Sequence, residues 1–224
     1  MSTAYELRAP VPAADGALAK FPAAPYASAA AYFGAYADEV ARAARSIEPA
    51  ALDRAATLLL DAYLRGAGVF SCGNGGSASI ANHLQCDHVK GVGNATDLNP
   101  RVMSLSTNVE ILTAIANDLS YADVFTYQLQ AQARPGDVLI AISSSGRSPN
   151  IVNALTWARE HGLHTIALTG FEGGDARAIA EIAIHVTGTN YGIVEDMHQS
   201  VMHALAQYIR QSRMAADAIS ASVF

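Results

Sequence analysis

The chain has 224 residues, of which 51% are hydrophobic and 15% charged, a composition typical of compact globular proteins and not of disordered ones. A net charge of −6 and only 14 scattered Lys and Arg residues disfavour nucleic acid as a partner. The two cysteines do not form a secreted-type disulfide framework, and neither a membrane span nor a signal peptide is recognisable, so we expect a cytoplasmic protein without a membrane partner.

The N-terminal region divides into an arm and a helical pair. Residues 1–27 are rich in alanine and proline, and we interpret them as a flexible arm. From Ser28 to Arg65 apolar residues recur at helical spacing. Pro49 interrupts this pattern and Gly66 ends it, so the segment predicts two helices.

From residue 67 onwards, short apolar runs alternate with helical patterns, which is typical of a parallel sheet covered on both faces. We therefore predict an α/β fold: a three-layer α-β-α sandwich around a parallel sheet of about five strands. One domain then spans 28–214, and 215–224 form a C-terminal tail. The predicted strands are GVFSC (68–72), RVMSLS (101–106), DVLIAISS (137–144), HTIALTG (164–170) and IAIHV (182–186), and the predicted helices are 77–90, 108–133, 149–162 and about 193–213.

Two loops that follow predicted strands are unusual. The first, SCGNGGSAS (71–79), contains three glycines that permit close backbone approach, and Ser77 is a good helix N-cap. This loop fits an anion or sugar contact and a tight strand-to-helix turn equally well. In the second, AISSSGRSPN (141–150), four serines surround Gly146. One helix cap does not need so many hydroxyls, so we favour a phosphate-binding loop over a capped turn.

The stretch ANHLQCDH (81–88) contains the first candidate metal ligands. His83 and Asp87 are four residues apart and share one face of a helix, although surface neighbours are the commoner explanation of such a pair. Glu195 and His203 are eight apart, a little over two helical turns, so both can face one groove. Two imidazoles and two carboxylates suit zinc, with Mn or Fe(II) as alternatives.

The other polar candidates have simpler explanations. We expect His88 and His198 to be packing or interface residues. Asn117 and Asp118 are candidate ligand contacts, although a helix C-cap explains that pair nearly as well.

Four segments occur in a characteristic order: GNGGSAS…NH, LSTNVEILTAIANDLSYADVF, PGDVLIAISSSGRSPNIVNAL and TIALTG. Together they resemble the sugar isomerase (SIS) domain and, more narrowly, the bacterial phosphoheptose isomerases. The resemblance covers about residues 30–213. It implies the SIS fold, a homotetramer with active sites between subunits, a sugar-phosphate substrate and a role in heptose supply for lipopolysaccharide or capsule.

The resemblance also implies roles for individual residues. It implies that the serine loop holds the phosphate, that the glycine loop contacts the sugar, and that a divalent metal, zinc in many members, is bound between two helices. The phosphate residues are Ser143, Ser145 and Ser148; the sugar residues are Asn74, Gly75, Gly76 and Ser77; the metal residues are His83, Asp87, Glu195 and His203.

The sequence departs from the family pattern at several of these positions. Asp87 replaces a glutamate, Glu195 a glutamine and Ser144 a threonine. Ile193 replaces an arginine, and Gly91 stands where another arginine often occurs. These departures leave two alternatives open: an SIS enzyme acting on another ketose or amino-sugar phosphate, and a non-catalytic SIS protein that binds a sugar phosphate.

For an aldose–ketose isomerase, chemistry requires a base beside C1 and C2 and stabilisation of an enediolate. We expect Asp87 to act as the base and His203 to move a proton between the sugar oxygens. Ser144 is a candidate relay to a sugar hydroxyl. A divalent metal polarises the C1 and C2 oxygens in this hypothesis.

Overall fold

The computed structural model describes residues 20–224, and the first 19 residues of the predicted arm lie outside the described residues. Residues 20–224 contain five strands and nine α-helices. The strands are β1 (Gly68–Gly73), β2 (Arg101–Ser104), β3 (Val138–Ser143), β4 (His164–Thr169) and β5 (Ile182–His185). The helices are α1 (Ala29–Arg45), α2 (Pro49–Arg65), α3 (Gly76–Cys86), α4 (Val109–Asp118), α5 (Thr126–Gln132), α6 (Pro149–Glu160), α7 (Gly174–Ile179), α8 (Tyr191–Ser212) and α9 (Ala216–Ala221).

The five strands form one parallel sheet in the order β2-β1-β3-β4-β5. The direction in which strands are added reverses between β1 and β3, whose carboxyl ends lie side by side, with Gly73 opposite Ile142. In open parallel sheets a ligand binds in the crevice at such a switch point. The loops after β1 and β3 are the glycine loop and the serine loop, so the topology places both at this crevice.

Both faces of the sheet are covered by helices, which confirms the predicted three-layer sandwich. Successive strand residues point to opposite faces, so Val69 and Ile140 pack on one side and Phe70 and Leu139 on the other. Helices α2, α3 and α8 cover the first face. Helices α4 to α7 cover the second. Because all central strands are buried on both faces, they are continuous apolar runs in the sequence.

Helix α1 packs against α8 through a small apolar cluster that includes Ala43 and Met197. The Tyr36 hydroxyl donates a hydrogen bond of 2.6 Å to Asp196 on α8. Phe21, within the predicted arm, packs its ring against those of Tyr32 and Tyr36. The division into an arm, a domain and a tail stays a prediction, although the tail segment contains α9.

Three local features differ from the predicted elements. The predicted helix 108–133 is divided: α4 ends at Asp118, a 3₁₀ turn covers Tyr121–Asp123, and α5 begins at Thr126. The Ser120 side chain accepts a hydrogen bond from the Ala122 amide at this break. Asn, Asp and Ser side chains compete with the helix for backbone groups, which explains the interruption.

The other two differences concern the helix after the glycine loop and a segment between β4 and β5. The predicted helix 77–90 is regular only to Cys86 and continues as a π-helical turn, Asp87–Val92. Helix α7 was not predicted, because it has only six residues, and both its N-cap Gly173 and its first residue Gly174 are glycines with positive φ.

Two observations bear on the expectations about compartment and membrane. Cys72 is buried and Cys86 exposed, and neither forms a disulfide. Burial raises the pKa of the Cys72 thiol, which makes it a poor nucleophile. Nowhere between residues 20 and 224 does a helix combine the length and the apolarity that crossing a bilayer would need.

His88 and His198 are both buried, as packing residues are. The His88 Nδ1 atom lies 2.5 Å from the Tyr63 hydroxyl, between α2 and the π turn. Burial lowers the pKa of His88 from its ordinary 6.5 to about 4.

We expect the free energy of unfolding to fall as the pH is lowered from 6.5 towards 4. Between pH 6.5 and 4 the unfolded chain binds a proton at His88 that the folded chain excludes, so the stabilising contribution is complete above pH 6.5 and is lost as the pH falls. From pH 7 to 5 His88 alone contributes a loss of about 2 kcal/mol. Urea denaturation of wild type and His88→Gln at both pH values measures this; an equal pH dependence in the two proteins would contradict it.

Candidate active site

The glycine loop and the serine loop enclose a cavity of about 150 Å³ at the switch point of the sheet. Helix α8 closes the cavity from the side. Most of its lining groups are hydroxyls and amides, which suit a polar, phosphorylated ligand. The lining residues are Asn74, Ser77, Ile142, Ser143, Ser144, Ser145, Ser148, Tyr191 and Glu195.

The glycine loop leads into α3 without a side-chain cap. The N-cap is Gly75, with φ +55°, and not Ser77 as predicted, because the helix already begins at Gly76 and Ser77 lies within its first turn. An uncapped helix N-terminus presents free backbone amides that bind anions. The Glu195 carboxylate lies close against Gly76, so that a Cβ at this position would displace it.

The serine loop is held by its own backbone and by the segment after β4. The Gly146 amide, at φ +65°, donates to both the carbonyl and the hydroxyl of Ser143, at 3.1 Å each. The Gly146 carbonyl accepts from Ala176, and the Ser144 carbonyl from Gly170. These bonds fix the loop geometry before any ligand arrives.

The serine hydroxyls are available to a ligand. The Ser144 hydroxyl is buried and has no hydrogen-bond partner among residues 20–224, whereas buried hydroxyls normally have one. Ser148 is the N-cap of α6 but makes no side-chain cap bond. Its hydroxyl and the first amides of α6 therefore point to an anion-binding site that needs no cationic residue.

Sequence reasoning missed Asn150, which pairs with the predicted residue Asn74 and joins the two loops. The amides of Asn74 and Asn150 form two reciprocal hydrogen bonds of 2.9 Å, and the Tyr121 hydroxyl donates to the Asn74 carbonyl oxygen, also at 2.9 Å. The Asn74 side chain is thus engaged in joining the loops. Pro149 marks the start of α6 in the sequence, but the spacing of residues does not indicate that Asn150 faces the glycine loop.

Removing this link should loosen the cavity. In Asn150→Ala the Asn74 amide loses both of its bonds to residue 150 and keeps only the one from Tyr121, and we expect about 1–3 kcal/mol of lost stability and roughly 10-fold lower kcat/KM for a sugar phosphate. Steady-state kinetics and urea denaturation measure these. Thr156→Ala, at an exposed position of the same helix, is the control, and an equal effect there would refute a specific role for Asn150.

A second cluster lies where the end of α3 meets α8. Asp87 Oδ1 lies 3.2 Å from His83 Nε2, and Asp87 Oδ2 lies 3.5 Å from His203 Nε2. One ligand atom of each residue lies within 4.8 Å of the others. Asp87 is the first residue of the π-helical turn, a feature that is frequent at functional sites.

The donor set of this cluster fits a divalent transition metal. Two imidazoles and a carboxylate, with room for a further ligand, are typical of catalytic zinc sites. His83, Asp87 and His203 are all partly exposed, so an ion and a substrate can reach them. The structure therefore brings together three of the four predicted metal residues.

Glu195, the fourth predicted metal residue, lies in the cavity beside the serine loop and against Gly76. Burial, and to a lesser extent the neighbouring Asp196 carboxylate, raise the pKa of Glu195. Besides Asp87, the side chain that contacts both imidazoles is Gln199, whose Nε2 lies 3.0 Å from His83 Nδ1 and 2.9 Å from His203 Nε2. Sequence reasoning did not single out Gln199, although it lies four residues before His203.

Asn117 and Asp118 lie away from both clusters. The Asn117 amide donates to the Asp118 carboxylate at 2.7 Å, at the end of α4. Asp118 lines a separate, largely apolar groove of about 490 Å³ with Ile111, Leu119 and Tyr127. In this chain the two residues therefore do not join the cavity that holds the other predicted substrate contacts.

Comparison with known proteins gives consistent similarities. Residues 32–170 match the family model described as SIS domain. A phosphoheptose isomerase from Alteromonas mediterranea is 35% identical over 178 residues, which cover 78% of this chain and 89% of the relative. A phosphoheptose isomerase from Nitratidesulfovibrio vulgaris is 40% identical over 158 residues, which cover 69% of this chain and 76% of the relative. The structure of a phosphoheptose isomerase from Neisseria gonorrhoeae superposes with a TM-score of 0.73 at 32% identity, covering 80% of this chain and 97% of that one.

Proposed function

This chain belongs to the SIS-domain family and, within it, to the phosphoheptose isomerases, and we propose that it converts sedoheptulose 7-phosphate to D-glycero-D-manno-heptose 7-phosphate. The observation that carries this proposal is the meeting of α3 and α8. That pair of helices borders the hydroxyl-lined cavity at one end and bears the imidazole–carboxylate cluster at the other.

The spacing of the two clusters suits a long, phosphorylated substrate. From Ser77 to His83 helix α3 advances six residues, which is a rise of about 9 Å. This is comparable with the length of an extended seven-carbon sugar phosphate. With its phosphate among Ser143, Ser145 and Ser148, such a substrate directs its C1 and C2 towards Asp87 and His203.

The sugar hydroxyls between these ends contact the glycine loop, with Ser77 and the amides of Gly75 and Gly76 as donors. Glu195 faces the same cavity and accepts hydrogen bonds from sugar hydroxyls as a carboxylate. It carries negative charge near the phosphate, and burial, followed by the Asp196 carboxylate, raises the pKa of Glu195.

The residues near C1 and C2, at the end of the substrate opposite the phosphate, carry out the proton transfers. Asp87 removes the proton from the carbon next to the carbonyl and returns it to the neighbouring carbon. His203, within 3.5 Å of Asp87, carries the proton between the O1 and O2 oxygens. Ser144, whose buried hydroxyl has no partner in the described part of the chain, relays a proton to a sugar hydroxyl.

His83, Asp87 and His203 would hold a divalent cation, for which zinc is our assignment, with Asp87 alternating between the roles of ligand and base because a coordinated carboxylate is a poorer base. When bound, the cation supplies Lewis-acid polarisation of the C1 and C2 oxygens. The imidazoles are the donors that favour zinc over magnesium or calcium.

The direct test is incubation of the purified protein with sedoheptulose 7-phosphate, with and without EDTA, followed by NMR of the products. We expect heptose 7-phosphate to form, the chelator to abolish its formation and added Zn²⁺ to restore it. A parallel panel of ketose and amino-sugar phosphates tests the main alternative. Turnover of one of those, with none of the heptose, would contradict the proposed substrate.

We extend the proposal to assembly and setting: a cytoplasmic homotetramer with active sites between subunits, supplying heptose for lipopolysaccharide or capsule. Exposed apolar side chains on and after α4, among them Val109, Leu119 and Tyr127, support association of subunits. Light scattering during size-exclusion chromatography measures the mass of the assembly.

A further inference from the structure

A second cavity, of about 360 Å³, lies where the π-helical turn after α3 meets the last turns of α8. Among its lining side chains Lys90 and Arg210 are cationic, and Asp87 is the one that is acidic. We call this cavity the basic pocket. The C-terminal residues Val223 and Phe224 form part of its wall.

The basic pocket continues the row of functional groups along α8 and the segment that faces it. On α8, Glu195 borders the serine-loop cavity, His203 belongs to the imidazole–carboxylate cluster, and Arg210 lines the basic pocket. From His203 to Arg210 the helix rises by about 10 Å. On the facing segment, Lys90 follows the cluster residue Asp87 by three positions. A substrate with its phosphate in the serine loop and C1 beside Asp87 therefore directs its C1 end towards the basic pocket.

Arg210 is a buried cation that has no anionic partner. Its side chain is only 8% exposed. Nε donates to the Asn94 carbonyl at 3.1 Å and Nη1 to the Val223 carbonyl at 3.2 Å, and the guanidinium lies over the Phe224 ring, 4.7 Å from its centroid. These groups are neutral, and the ion pairs found within residues 20–224 do not include Arg210. Since buried charges are normally paired, Arg210 lacks a counter-charge.

Lys90 brings a second positive charge to the same pocket. It is exposed, and the ion pairs within the described part of the chain do not include it either. The carboxylate oxygens of Asp87 lie at 3.2 and 3.5 Å from the imidazoles of His83 and His203. Two cations and one carboxylate leave the side chains of the basic pocket with a net positive charge, in a chain whose net charge is −6.

A phosphate group is the ligand that these side chains suit best. Guanidinium and ammonium groups form short, charge-assisted hydrogen bonds to phosphate oxygens. Arg210 has its Nη2 atom free of hydrogen bonds within residues 20–224, and its position is fixed by the bonds of the other two nitrogens. The cavity is also larger than the one at the serine loop, about 360 against 150 Å³, so a phosphate group has room there.

We propose that the basic pocket binds the second phosphate of a sugar bisphosphate whose first phosphate lies in the serine loop. This inference rests on the proposed function, which places C1 of the sugar beside Asp87. A phosphate on O1 then lies next to Lys90 and Arg210. Isomerisation turns C1 into an aldehyde, for which O1 must lose its proton, and a phosphoryl group on O1 prevents this. Such a bisphosphate therefore binds without turnover and inhibits the enzyme in competition with the substrate.

The test compares the binding of sedoheptulose 7-phosphate and sedoheptulose 1,7-bisphosphate to the purified protein by calorimetry. We expect wild type to bind the bisphosphate at least about 10-fold more tightly, as one charge-assisted contact provides. Arg210→Gln should weaken bisphosphate binding by roughly 10- to 100-fold and leave monophosphate binding within about 2-fold. Lys90→Gln should act in the same direction by a smaller factor, because Lys90 is exposed.

Two further variants separate charge from structure. Arg213→Gln makes the same chemical change three residues later on α8, where the arginine pairs with Asp97 and does not line the basic pocket, and it should leave both affinities unchanged. Arg210→Lys keeps the charge and should retain part of the preference for the bisphosphate. Lys90→Gln changes an exposed side chain and should fold even if the variants at the buried Arg210 do not.

The possible results distinguish this inference from the proposed function. Equal affinity of wild type for the two sugars overturns the inference and leaves the isomerase proposal intact. An equal loss of both affinities in the Lys90 and Arg210 variants also overturns it, because these residues then have only a structural role. Binding of inorganic phosphate that depends on Arg210, without a preference for the bisphosphate, does the same. An Arg210-dependent preference in a protein without heptose isomerase activity supports the inference and refutes the proposed function.

Discussion

Replacement of Asp87 with Asn should lower kcat for the isomerisation of sedoheptulose 7-phosphate by at least about 10²-fold, with the fold unchanged. The amide has nearly the shape of the carboxylate but cannot accept a proton from carbon. It also removes the negative ligand from between His83 and His203, where the carboxylate oxygens lie 3.2 and 3.5 Å from the two imidazoles.

Asp61→Asn is the matched control for this variant. Asp61 is exposed and forms an ion pair with Arg65 on α2, and it belongs neither to the cavity lining nor to the cluster between α3 and α8. Its loss costs little stability, as is usual for surface ion pairs. Kinetics should show wild-type rates for Asp61→Asn and near-complete loss for Asp87→Asn, while circular dichroism shows both folded. Activity close to wild type in Asp87→Asn would remove Asp87 from the mechanism.

Gly146→Ala should destabilise the protein by about 3 kcal/mol or more and abolish sugar-phosphate binding. Two causes combine at this position in the serine loop. A residue with a side chain is strained at φ +65°, and its Cβ would overlap the carbonyl oxygen of Gly173. The overlapped atom belongs to the backbone of the segment that supports the loop, so it cannot turn aside as a flexible side chain would.

Gly66→Ala separates these two causes. Gly66, at the C-cap of α2, has φ +69°, but a Cβ there meets no atom within 4 Å. This variant carries the backbone strain alone, about 1 kcal/mol. Urea denaturation of both variants, with ligand binding measured by calorimetry, compares the two costs. Equal destabilisation of Gly66→Ala and Gly146→Ala would show that the overlap is relieved and that the loop is not rigid.

The strands were predicted within two residues because the signals that define them are local. The runs beginning near Gly68 and Val138 are buried throughout and mostly apolar, since both faces of the sheet are covered, and glycine or polar residues bound them. The predicted helices differ from the observed ones where side chains compete with the helix for backbone hydrogen bonds. The break after Asp118 and the π turn at Asp87 depend on single hydrogen bonds and on packing that periodicity does not report.

The α/β class and the order of the glycine loop and the serine loop along the chain follow from the sequence alone, because alternating apolar runs, glycines and serines act over a few residues. Which polar groups meet depends on the tertiary structure. It joined Asn74 to Asn150 across 76 residues, brought His83 and Asp87 to His203, and placed Gln199, not Glu195, between the imidazoles. These contacts depend on how α8 lies against α3. The packing of both helices on the sheet sets this arrangement, and the spacing of residues within either helix does not report it.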